Sequence, residues 1–134
     1  MSYEVTDLTR GGGLTRRTVV HETFQPYELA CLSSNGAWVR SNASSEATMP
    51  AIGLSVEFIP TGISGSFLLI GVIHNNLWKF TPGSLLYASR VPGKISEVPP
   101  DVPGSQVQVI GKALPQATIM FNPSYVLVEI AEEE

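Results

Sequence analysis

Ten prolines and twelve glycines are spread along all 134 residues of this chain. Among them no stretch shows a sustained helical period with caps. Proline lacks the N–H a helix interior needs, and glycine loses the most backbone entropy on ordering. Between the breakers lie short apolar runs, at the intervals of about 8–12 residues that mark a sandwich or barrel. Strands are expected over Glu28–Ser33, Ala37–Arg40, Ala51–Phe58, Ser66–His74, Leu85–Ser89, Lys94–Val98, Gln106–Ala113, Ala117–Phe121 and Tyr125–Ile130. Asn35-Gly36 predicts a type I′ hairpin, because both residues accept positive φ. Thr81-Pro82-Gly83 and Pro92-Gly93 predict further turns. Ser41–Thr48 is small and polar and reads as a loop or a single helical turn, and the three prolines of Pro99–Gly104 predict an extended surface loop. The expected fold class is all-β: a small antiparallel barrel or a compact sandwich, which strand spacing alone does not separate.

The segment before this pattern differs. Residues 1–22 hold Gly11-Gly12-Gly13 beside Arg10, Arg16 and Arg17, three of the eight basic residues. A triple glycine carries high backbone entropy and packs little, so 1–22 is expected to be an extended arm. Its Leu14–Val20 part is β-branched enough to become a strand on finding an edge. Residues 23–130 form the body. Residues 131–134, ending in three glutamates, form a short acidic tail. No apolar strand precedes the glycines and no Gly-Lys-Ser/Thr follows them, so they are not a phosphate loop.

Catalytic groups are hard to find. His21 and His74 are the two histidines and no Cys–His or carboxylate cluster has metal spacing, so neither a metal nor a cofactor is expected. Glu28, Glu46, Glu57, Glu97 and Asp101 are scattered over turns and strand ends, whereas acid–base catalysis needs paired groups in contrasting environments. Cys31, flanked by Leu29, Ala30 and Leu32, reads as a buried small side chain. A net charge of −4, without basic residues interleaved with aromatics, argues against nucleic acid. No apolar run reaches membrane-spanning length, and no apolar leader stands at the start, so synthesis in a cytoplasm is expected. Only 15% of residues are charged, against about 25% in ordinary globular chains. Such a surface is either covered by a partner or dominated by Ser, Thr, Asn and Gly, and both suit a protein that works inside an assembly. Trp78 and Phe80, two residues apart, share a face of an extended chain and are candidate interface aromatics. The chain is expected to be a structural or binding module and not an enzyme.

The order of several segments is specific. Pro26-Tyr27-Glu28-Leu29 leads into Asn35-Gly36-Ala37-Trp38. Then come Ala47-Thr48-Met49-Pro50-Ala51-Ile52-Gly53, Gly65-Ser66-Phe67-Leu68-Leu69-Ile70-Gly71 and Thr81-Pro82-Gly83-Ser84-Leu85-Leu86-Tyr87. The series closes with Gln106-Val107-Gln108-Val109-Ile110-Gly111-Lys112-Ala113-Leu114 and Phe121-Asn122-Pro123. Over about residues 24–124 this resembles small structural proteins of tailed bacteriophages, namely head-decoration (cement) proteins and related fibre modules. The resemblance implies a β-barrel or β-tulip-like domain, trimeric at local threefold points on the outer surface of the virion capsid. Its partners would be the major capsid protein and copies of itself. The arm residues Arg10, Leu14, Arg16, Arg17, Val19 and Val20 would then contact the capsid, by strand addition and by arginine–carboxylate pairs. The alternative is a fibre-associated module that binds a receptor or carbohydrate through an aromatic platform at Trp78 and Phe80.

Overall fold

The computed structural model describes residues 13–131, and these form an all-β fold. In chain order the strands are β1 (Gly13–Val19), β2 (Leu29–Leu32), β3 (Trp38–Arg40), β4 (Ala51–Ser55), β5 (Ser64–His74), β6 (Leu85–Ala88), β7 (Ile95–Ser96), β8 (Gln106–Val107), β9 (Val109–Leu114), β10 (Thr118–Phe121) and β11 (Val128–Glu129). A single 3₁₀ turn, Glu46–Thr48, precedes β4, and Ser45 caps it by accepting from the Ala47 N–H. Nine strands make one antiparallel sheet in the order β3-β2-β4-β5-β10-β9-β6-β7, with β1 added on β5; β8 and β11 form a separate pair. The large sheet curls into a half-barrel.

Strand β5 is the hub. It pairs with β1 from Ser64 to Gly71, with β4 at Phe67 and Leu68, and with β10 from Gly71 to His74. Its eleven residues, Ser64–His74, carry Phe67 and Leu68 to opposite sides, as the period of two requires. Leu68 joins a main core with Leu29, Leu54, Leu86, Ile110, Ile119 and Phe121. Phe67 joins a second core with Val20, Phe24, Ala30, Trp38 and Ile59. Here Phe24 meets Phe67 edge-on at 5.1 Å and Trp38 stacks on it at 5.1 Å.

Backbone hydrogen bonds draw the two ends of the curled sheet together. Leu29 donates to the Gly93 carbonyl, Gly93 to that of Ser41, and Ala43 to that of Ser89, at 2.8, 2.8 and 3.0 Å. Gln108, fully buried, adds a side-chain strut. Its Nε2 donates to the Ala51 and Ser124 carbonyls at 2.8 and 2.6 Å, and its Oε1 accepts from the Ala51 N–H at 2.8 Å. An amide side chain can satisfy both backbone groups of one residue in this way.

Two expectations are corrected. Residues 13–22 are not a free arm: β1 is laid along β5 of the same chain, and Val20 is fully buried. Leu14–Val20 does form a strand, but the edge it finds is its own. Gly13 also packs. It is buried opposite Gly71, and a Cβ there would lie 2.4 Å from the Ile70 carbonyl oxygen. Residues 1–12 lie outside the described residues. The second correction concerns the hairpin between β2 and β3. Gly36 has φ of 83° but Asn35 is not in the positive-φ region. Gly36 donates to the Ser33 carbonyl at 2.9 Å. This is the three-residue loop of a type I turn followed by a left-handed glycine.

Candidate functional site

The turn before β2 begins with proline. Gln25-Pro26-Tyr27-Glu28 places Tyr27 at φ of 66°, the position where a type II turn normally has glycine. A bulky residue there is strained. Four hydrogen bonds hold it. Tyr27 donates to the Ser55 carbonyl at 2.8 Å. The buried Glu28 carboxylate accepts from the Gln25 N–H at 2.7 Å. Ser55 Oγ donates to the Gln25 carbonyl at 2.6 Å and accepts from the Glu28 N–H at 2.9 Å. The turn therefore holds the Tyr27 ring against Trp78, edge to face at 5.3 Å.

Trp78 follows the Asn75–Leu77 turn, in which Asn75 accepts from both the Leu77 and the Trp78 N–H. Phe80 lies two residues on, its ring centroid 6.2 Å from that of Trp78. Both rings lean on the main core and remain half-exposed. Together with Pro26, Tyr27, Leu77, Lys94 and Ile95 they line a cleft of about 460 Å³. That volume falls in the range of small-molecule sites, and the lining is mostly apolar, but the cleft is half open to solvent. The Lys94 ammonium stands 4.0 Å from the Glu28 carboxylate, which opposes it from beneath.

The remaining sequence candidates sit elsewhere. Leu14, Arg16 and Val19 are on β1 and reach solvent. The Arg17 guanidinium lies 3.6 Å from the Glu57 carboxylate and donates to the Ser64 carbonyl at 3.3 Å. Val20 is in the second core, and Arg10 lies outside the described residues. Trp78 and Phe80 are brought together; the β1 residues do not join them.

Several titratable groups make hydrogen bonds within the fold. His21 accepts from the Trp38 N–H, and His74 bonds to Thr118 and Asn76. Glu22 holds Arg40, and Glu97 accepts from the Thr81 N–H. Cys31 is buried, and burial first, then the nearby Glu22 charge, pushes its thiol up to about 11. Among the described residues no three His, Cys, Asp or Glu side chains cluster to hold a metal.

Sequence reasoning did not single out Tyr27, Leu77 or Lys94. The dipeptide Pro26-Tyr27 carried half of the turn signal, but a tyrosine where glycine is expected hides the turn. No family model matches this chain, and no curated protein matches it either.

Proposed function

We propose that this chain is a capsid decoration (cement) protein of a tailed bacteriophage. In this reading it sits on the outer surface of the major capsid protein shell as a homotrimer and stabilises the shell by contact, without catalysis. The observation that carries the reading is the outer face of the half-barrel. Cross-strand partners Leu14 and Ile70, then Val72 and Met120, Met120 and Lys112, and Lys112 and Leu85 run side by side over five strands. Leu14, Ile70, Met120 and Leu85 are each more than two-fifths exposed, and the row carries a single charge, Lys112. Contiguous apolar surface of this kind marks a protein-contact site. The phage-like segment order gives the partner its class.

Co-sedimentation tests the reading. Purified protein should pellet with shells of the encoding phage that have been stripped of it, and raise their resistance to heat. Met120→Asp should abolish pelleting while leaving the fold intact. Wild-type protein that never pellets with such shells contradicts the proposal.

A second reading, a fibre-associated carbohydrate-binding module, is favoured by the half-exposed Trp78 in an aromatic cleft. Glycan binding that is lost in Trp78→Ala would support it.

A further inference from the structure

The same chain that forms the aromatic cleft also carries an exposed proline-rich segment. Between β7 and β8 runs Val98-Pro99-Pro100-Asp101-Val102-Pro103. Pro100 and Pro103 have the P-x-x-P spacing of segments that dock in aromatic-lined grooves; Pro100 is half-buried, and Pro103 opens a β-turn in which Ser105 donates to the Val102 carbonyl at 3.0 Å. Every residue of this stretch except Pro100 is exposed, with Val98 at 70% and Val102 at 38%. The loop is anchored at both ends. Glu97 accepts from the Thr81 N–H at 2.6 Å, and Gly104 donates to the Ile130 carbonyl at 2.9 Å. A proline-rich segment held in this way has already lost much of its conformational freedom, so docking orders little more of it.

The cleft offers what such a segment needs. Tyr27, Trp78 and Phe80 supply flat apolar walls, and Leu77, 83% exposed, forms a lip. Lys94 is the cationic group in the lining and Asp101 is the anionic group in the loop. The strained φ of Tyr27 persists although glycine would relieve it, and such strain tends to mark a working site.

We infer that the proline-rich loop of one copy docks in the Tyr27–Trp78–Phe80 cleft of a second copy, with Asp101 of the first against Lys94 of the second. Loop and cleft are different surfaces, so the contact is heterologous and head to tail, and a trimer requires that its rotation close a three-membered ring. This deepens the trimeric part of the decoration reading and rests on self-association, but not on what the oligomer binds.

The experiment is light scattering on the full chain across a concentration series. The wild type should run as an oligomer, near three times the 14.4 kDa of one chain. Asp101→Lys and Leu77→Asp change exposed side chains and should each weaken assembly roughly tenfold or more, as loss of an anchoring contact does. Tyr27→Gly relaxes the backbone while removing one wall, so it should stay folded and lose assembly. Lys94→Glu combined with Asp101→Lys should recover assembly lost in Asp101→Lys alone. A peptide of residues 98–105 should dissociate the wild-type oligomer. An oligomer indifferent to all three single variants overturns this inference and leaves the decoration reading standing. A wild type that stays monomeric at every concentration overturns both. An intact oligomer whose cleft binds a glycan also overturns the inference, and favours the fibre reading.

Discussion

Tyr27, Gln116 and Ala117 are the described non-glycine residues with positive φ, and they differ in kind. The strain at Tyr27 holds a ring in the cleft. Gln116 and Ala117 simply turn the chain between β9 and β10, where Thr118 pairs with Leu114. A left-handed conformation costs an L-residue about 1–2 kcal/mol, partly offset by the entropy glycine loses on folding. Ala117→Gly should therefore stabilise the protein by about 0.5–1 kcal/mol in urea unfolding. Gln108 presents the opposite case, since its side chain satisfies both backbone groups of Ala51. Gln108→Leu leaves buried polar groups unpaired and should cost about 3 kcal/mol, at 1–3 kcal/mol for each unpaired group. The raised thiol of Cys31 has a definite sign. Its folded value of about 11 lies above the reference 9.0, so the folded state holds the proton longer. Its contribution to stability is complete below about pH 9 and falls as pH rises toward 11. Thiol reagents at pH 8 should modify Cys31 only after denaturant is added.

At the scale of elements, most of the strand pattern was legible, because alternation and turn residues report local geometry. Ser66–His74 was expected and β5 covers Ser64–His74; the helical-turn alternative for Ser41–Thr48 appears as the 3₁₀ turn at Glu46–Thr48. Where the reading failed, long-range contact decided. Gly11-Gly12-Gly13 looks like slack chain, yet Gly13 is the close-packed partner of Gly71. No local pattern could show that Leu14–Val20 finds its edge on β5, fifty residues away. Asn35-Gly36 marked a turn correctly but not its type, because Ser33 hydrogen-bonds the loop into a different closure. The placement of β1 also changes what truncation does. Deleting residues 1–22 removes a seven-residue strand, Gly13–Val19, and the buried Val20, and should unfold the second core. Circular dichroism and thermal melting of that variant should show loss of cooperative unfolding. A fully cooperative melt would contradict the packing described for β1.

For the molecule as a whole, charge-poor composition pointed to a covered surface, and the folded chain has a row of apolar side chains across its outer face. The candidate cleft was half legible. The spacing of Trp78 and Phe80 put two rings on one face, but Tyr27 and Lys94 come from other turns, Tyr27 from one far away in sequence. They enter the cleft only because the curled sheet brings the segment before β2 and the β6–β7 hairpin together. The central claim is that this half-barrel works by being covered, outer face to a shell and cleft to its own copies. An electron-microscopy reconstruction of the phage particle tests it most directly. The account predicts half-barrel density at threefold points on the outer shell, with Leu14, Ile70 and Met120 turned toward the major capsid protein. Density for this chain at the fibres alone, or a shell contact made through some other face while that row stays in solvent, would contradict it.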